Sequence, residues 1–215
     1  MPTPEGRDGL AAPGPEQPQL TAGGDAVVQE REGPMSKGEL KRPQSVLVVV
    51  CTRQGEFLLM QRTRPKGFWQ SVTGSLDPGE TPRLAAAREV FEETGIRAGG
   101  GLIDLHQSVL FPIIPAWRRR YALNVCFNRE YWFALVLDSR RHVRLSQREH
   151  LTSRWLSAPE AVELTGSWTN RDAIQRVACV LDPMGGCGTT GQGGRSIRRT
   201  SRVIDSRFRR ALSKT

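Results

Sequence analysis

Between Gly74 and Ile96 the chain reads GSLDPGETPRLAAAREVFEETGI, and no other stretch limits the possible folds as sharply. Thr81 is a strong N-cap residue and Pro82 suits the first helical position, where a missing N–H costs nothing. Gly95 stands where a helix closes in the left-handed conformation that a Cβ resists. The spacing predicts a helix over Pro82 to Thr94 with a turn on either side. On it Leu84, Ala87, Val90 and Phe91 recur at helical spacing as a face to bury, while Glu89, Glu92 and Glu93 stand at i, i+3 and i+4 on another face. Arg88 points to a different side, placed to brace a carboxylate or the preceding loop.

Carboxylates stacked at that spacing repel one another by a few tenths of a kcal/mol per pair. The cluster therefore gains nothing unless a cation reverses the sign. Anionic oxygen donors with no histidine or cysteine close by in sequence suit Mg²⁺, with Mn²⁺ as the second choice, far better than zinc or copper. Taken alone, EVFEE is also what an acidic, solvated helix face looks like.

The complete string resembles the Nudix box at every fixed position: Gly74, five residues, Glu80, seven residues, Arg88-Glu89, Val90, one residue, Glu92-Glu93, one residue, Gly95-Ile96. An acidic surface has no reason to reproduce that spacing. The resemblance implies an α/β fold, a mixed β-sheet sandwiched between helices (α/β/α), and a loop–helix–loop metal site. It further implies hydrolysis of a nucleoside diphosphate linked to another group: glutamates hold Mg²⁺ against the substrate's phosphates and an activated water attacks phosphorus.

The 215 residues, 38% hydrophobic and 25% charged, suffice for one sizeable core. The net charge of +9 is unevenly spread: residues 1–34 carry two arginines against six acidic residues, and residues 183–215 carry eight basic residues against one acidic. Residues 1–38 are rich in Pro, Gly, Ala and Gln without apolar periodicity and read as a disordered tail, with Met35 offering a second translation start. At Pro183 the composition changes to a Gly-rich linker and a basic tail, read as disordered, which leaves a single domain over 39–182. Cys51, Cys126, Cys179 and Cys187 show no metal-ligand pairing, and three of them lie in apolar runs, as reduced core cysteines of a cytoplasmic protein do. There is no signal peptide and no run long enough to span a bilayer.

In chain order, SVLVVVC (Ser45 to Cys51) predicts a strand buried on both faces, and Phe57 to Arg62 a second strand forming a hairpin with it. Arg62 lies either near phosphates or at a solvated strand end. Trp69 either stacks on a substrate ring or belongs to the core. Leu102 to Phe111 and Tyr131 to Leu137 read as strands, and the irregular stretch between them as a substrate-side loop. There Arg118, Arg119 and Arg120 are either a forked grip on a triphosphate or ordinary surface arginines. A strand around Trp155 follows a short loop holding Glu149 and His150, each a surface residue when read alone. A short helix over Ala158 to Thr165 precedes a last helix over Ser167 to Leu181, capped at Thr169 or Asn170. Its stripe of Ala173, Ile174, Val177, Ala178 and Leu181 should pack on the sheet.

The flanking strings KRPQSVLVVV, FWQSVTGS, WRRRYA, REHLTSRWL and GSWTNRDAI resemble those of the dihydroneopterin triphosphate pyrophosphohydrolase subgroup, which is also described as acting on dATP. The resemblance covers about Lys41 to Leu181. It implies that Glu89, Glu92, Glu93 and Glu149 hold the metal, that Arg88 works with the glutamates, and that Lys41, Arg62, Thr73 and Ser167 contact substrate. It also implies that Phe111, Pro112, Ile113 and Ile114 line the pocket, with Pro112 and Pro115 stiffening it. The expected reaction converts 7,8-dihydroneopterin 3′-triphosphate to the monophosphate and pyrophosphate. The competing expectations are a nucleotide-pool enzyme for dATP or oxidised purine triphosphates, and a binding module engaging RNA through the basic tail, whose signature would be a degraded box. The partner expected is thus a small pterin or nucleoside triphosphate, with neither membrane nor nucleic acid.

Overall fold

In the computed structural model the residues described are 40–181, so the expectations for both tails lie outside them. Strand β1 (Gln44–Thr52) is buried almost throughout because it runs at the centre of the sheet with apolar layers on both faces. Its side chains alternate: Val46, Val48 and Val50 enter one core, while Leu47, Val49 and Cys51 enter the other. A β-branched run satisfies both faces at once, which an alternating polar strand could not.

The neighbours of β1 are β2 (Glu56–Arg62), antiparallel, and β6 (Phe127–Leu137), parallel along its whole length from Gln44↔Arg129 to Thr52↔Leu137. The sheet order is β3-β2-β1-β6-β5, with β3 (Trp69–Gln70) and β5 (Leu102–Pro112) outermost on that path. Strand β4 (Val72–Ser75) pairs with the start of β1, and β7 (His150–Ser157) pairs with β2. The sheet is therefore mixed. Helix α1 (Pro82–Thr94) contributes Ala85, Ala86 and Val90 to one core. Helices α2 (Ala158–Leu164) and α3 (Trp168–Leu181) cover the opposite face, which completes the expected α/β/α sandwich.

Several local readings hold. Thr81 caps α1 by accepting from the Leu84 N–H, and Gly95 closes it at φ 71°, donating its N–H to the Phe91 carbonyl. Ala173, Ile174 and Val177 are fully buried, with Ala178 and Leu181 packed beside them. Trp69 is core, 5% exposed.

Others need correction. Leu84 and Phe91 are exposed rather than buried; the face of α1 turned inward is Ala85, Ala86, Glu89, Val90 and Glu93. Small alanines let the helix approach the sheet, and the carboxylates turn in where the apolar pattern expected leucine and phenylalanine. Helix α3 starts at Trp168, so Thr169 and Asn170 lie inside its first turn, where the Asn170 side chain accepts from the Ser71 N–H at 2.6 Å instead of capping its own helix. The stretch after β5 contains a 3₁₀ turn at Pro115–Arg120, and its last residues already belong to β6. Cys51 is a buried free thiol, but Cys126 is exposed and Cys179 is disulfide-bonded, against the expectation of reduced core cysteines. Among the described residues no helix is long and apolar enough to cross a membrane.

Candidate active site

The loop from Gly74 to Thr81 is fixed before the helix begins. Arg42 donates to the carbonyls of Asp77 and Glu80, and the Glu80 carboxylate accepts from the Asp77 N–H at 2.9 Å. Arg88 then closes the structure from the helix side. Its Nε and Nη2 form a two-pronged pair with Glu80 at 2.9 and 2.8 Å, Nη2 also donates to the Ser75 carbonyl, and Nη1 reaches Glu89 at 2.8 Å and Glu92 at 3.1 Å. A planar guanidinium can serve four groups in this way, and an ammonium cannot. The bracing role expected of Arg88 is its observed one.

Glu89 lies against Gly74. A Cβ there would come within 1.8 Å of the Glu89 carboxyl carbon, so glycine is required by the carboxylate rather than by its own backbone. Glu89 is 9% exposed, and burial, reinforced by Glu93, raises its pKa to about 8 against the pull of Arg88. Glu93, 2% exposed, is held well above the carboxylate range by burial and then by Glu149; Arg62 and the Thr73 backbone N–H oppose the shift. Glu92 remains largely exposed beside Arg88.

Glu149 arrives from the far side of the sequence. Backbone bonds from Arg144 to the Thr94 carbonyl and from Ser146 to the Glu93 carbonyl tie its loop to the end of α1, and Thr63 N–H donates to the Glu149 carbonyl. One ligand atom each from Glu93, Glu149 and His150 then lie within 4.8 Å of one another. His150, read from the sequence as a surface residue, is instead enclosed beside the carboxylates. It is 2% exposed, and its Nε2 is 3.3 Å from Glu93 Oε2. Burial pushes its pKa down to about 4, against the pull of Glu149. No local signal marks it: a histidine at the head of a strand looks like a surface residue until β2–β7 pairing sets Arg62 opposite it.

Arg62 and Thr73 thus face Glu93. Ser167 lies at the start of α3, its hydroxyl 3.0 Å from that of Thr169. Lys41 lies just before β1, and its N–H donates to the Arg120 carbonyl. Phe111, Pro112, Ile113 and Ile114 form the end of β5 and the turn beyond it, and the buried Ile113 donates to the Cys126 carbonyl. An open cavity of about 470 Å³ is lined by Leu40, Arg118, Arg119, Tyr121, Ala122 and Leu123, so two of the three consecutive arginines border a concave surface. Burial and the like-charge pairs Glu149–Glu93 and Glu93–Glu89 together disfavour the charged carboxylates more than Arg62 and Arg88 favour them. That donor set fits a divalent cation.

A third buried carboxyl, away from α1, has no local signal in the sequence. Glu130 on β6 is 6% exposed, accepts from the Trp132 indole at 3.1 Å, and is raised by burial from the usual 4.5 to about 7. A carboxyl whose folded pKa is raised contributes stability that is full below pH 4.5 and is lost as pH rises through 7. Glu130→Gln keeps a carbonyl acceptor and cannot ionise. Its stability relative to the parent should therefore rise between pH 5 and pH 8 by about 2–3 kcal/mol, as read by urea unfolding at each pH. Parallel stability curves for the two proteins would refute the assignment.

The NUDIX domain family model matches residues 41–177. Dihydroneopterin triphosphate diphosphatase of Escherichia coli K12 is 46% identical over 140 residues, 63% of this chain and 92% of the relative. The Haemophilus influenzae protein of the same name is 39% identical over 142 residues, 64% and 89% of the two chains. The solved structure of the E. coli dihydroneopterin triphosphate pyrophosphohydrolase superposes with a TM-score of 0.59 at 44% identity, covering 65% of this chain and 97% of that one.

Proposed function

The chain belongs to the Nudix family, and from that premise we propose that it hydrolyses 7,8-dihydroneopterin 3′-triphosphate to dihydroneopterin monophosphate and pyrophosphate, a step of folate synthesis carried out in the cytoplasm. The observation that carries the reading is the convergence of Glu93, buried on α1, with Glu149 from a loop that the backbone ties to the end of that helix, and with Glu89 buried on the same helix face beside Glu93. The relatives that bear this substrate's name match this chain over 92% and 89% of their own length.

Glu89, Glu92, Glu93 and Glu149 would hold Mg²⁺. The ion, when bound, neutralises phosphate charge and lowers the pKa of a water so that it can attack phosphorus. The protein does the rest by position. Arg88 fixes Glu89 and Glu92 by direct contact, and Gly74 leaves room for Glu89. Arg62, Lys41, Thr73 and Ser167 contact the substrate, and the Phe111 to Ile114 end of β5 receives the ring. Water oxygen bonds to the phosphorus nearest the sugar-like side chain, a carboxylate of the cluster accepts its proton, and the bond to pyrophosphate breaks.

Product analysis tests this reading. Hydrolysis in ¹⁸O-labelled water should give the monophosphate and pyrophosphate, with the label in the monophosphate. Release of inorganic phosphate with a diphosphate product would refute the assigned bond. The nucleotide-pool reading differs in base pocket and not in metal chemistry, so relative rates on the pterin and on dATP separate the two.

A further inference from the structure

Three buried polar atoms in the site have no hydrogen-bond partner: Glu93 Oε2 and both ring nitrogens of His150. Buried polar atoms are nearly always paired, and each left unpaired costs about 1–3 kcal/mol. Here two of the three face each other. The His150 side chain is 0% exposed, and its Nε2 stands 3.3 Å from Glu93 Oε2.

The backbone has been arranged to aim this imidazole. The pairing of β2 with β7 shifts register between Gln61 and Arg62, next to His150, and such irregularities re-aim side chains. The His150 N–H donates to the Ser146 carbonyl at 2.9 Å, and the Ser146 N–H donates to the Glu93 carbonyl at 3.2 Å. The loop is thereby fastened to the helix residue that its histidine faces.

A proton shared between Glu93 and His150 would join two of these groups and leave the Glu149 carboxylate outside. A cation joins all three. Ligands about 2.0–2.2 Å from one ion are about 3 Å apart when adjacent and up to about 4.4 Å apart when opposite. The 3.3 Å pair and the 4.8 Å limit on the whole group need only a small inward movement to meet those spacings.

We propose that His150 Nε2 is a ligand of the same divalent ion as Glu93 and Glu149, which makes this a mixed nitrogen–oxygen site that holds Mn²⁺ in preference to Mg²⁺. The inference deepens the function proposed above and rests on its placing a divalent ion at these carboxylates. A set of carboxylates alone suits Mg²⁺, whereas imidazole favours first-row transition ions.

The test reads binding, not turnover. Mn²⁺ is titrated into the full chain without substrate, its free signal is followed by electron paramagnetic resonance, and Mg²⁺ is measured by competition. Pulsed measurements on the bound ion then look for ¹⁴N coupling from imidazole. The chain should bind Mn²⁺ at least about tenfold more tightly than Mg²⁺ and show the coupling. His150→Gln should lose the coupling and weaken Mn²⁺ binding at least about tenfold, with Mg²⁺ affinity changed by less than about threefold. Bound Mn²⁺ without nitrogen coupling in the unaltered chain overturns the proposal, whether or not the variant folds, and so does coupling that persists in His150→Gln. A chain that shows the coupling and fails to hydrolyse the pterin triphosphate would refute the proposed substrate and leave this ligand assignment standing.

Discussion

Glu93→Gln should lower kcat/KM at saturating Mg²⁺ by at least about a hundredfold, equivalent to about 2.7 kcal/mol of barrier, while leaving the metal-free protein as stable as its parent or more so. Glu93 is 2% exposed, its Oε2 has no partner, and burial disfavours its charged form. Removing the charge therefore relieves the metal-free fold and costs only the function that the charge serves. Gln has nearly the same volume, and its carbonyl can still accept from the Thr73 N–H. Two measurements read the result, steady-state kinetics and the rise in Tm that Mg²⁺ produces, and the second should largely disappear in the variant. A fall in kcat/KM of less than about tenfold, with the Mg²⁺ effect on Tm retained, would show that Glu93 does not carry the metal.

Gly74→Ala should be nearly as damaging although the residue has no side chain. The new Cβ would meet the Glu89 carboxyl carbon at 1.8 Å and Oε1 at 1.9 Å. Glu89 cannot simply swing away, because Arg88 holds it at 2.8 Å and the same guanidinium is committed to Glu80, Glu92 and the Ser75 carbonyl. Either the carboxylate moves or the loop does. Displacing a reacting group by about an ångström costs on the order of a hundredfold in rate, and overpacking costs about 1–3 kcal/mol of stability. Both effects should appear together, in kcat/KM and in Tm. A near-normal rate would show that the observed place of Glu89 is not the working one.

The ends of α1 were legible because caps are local: Thr81, Pro82 and Gly95 act on backbone groups within a turn of themselves. Its buried face was not. Apolar periodicity pointed to Leu84 and Phe91, yet the sheet receives alanines and two carboxylates, Glu89 and Glu93, where a plain amphipathic helix would bury leucine. The β1 core was readable from Val46 to Cys51 because a strand buried on both faces needs no alternation. Glu149 was reached through resemblance and not through any pattern of its own. His150 was read as a surface residue and Glu130 was not singled out, because their burial depends on which strand lies opposite. Sequence shows that a residue is polar, and only the pairing of β2 with β7 or β1 with β6 shows that it is enclosed. Lys41, Ser167 and the Phe111 to Ile114 turn likewise have places in the fold that their sequence strings did not define.

The measurement closest to the central claim is kcat/KM of the purified full chain with Mg²⁺ on dihydroneopterin triphosphate and on dATP, side by side, by pyrophosphate release. The account predicts a preference for the pterin of at least about a hundredfold, the equivalent of about 2.7 kcal/mol in transition-state binding. Equal or reversed values would contradict it, and would assign the glutamate chemistry at Glu89, Glu93 and Glu149 to the nucleotide pool.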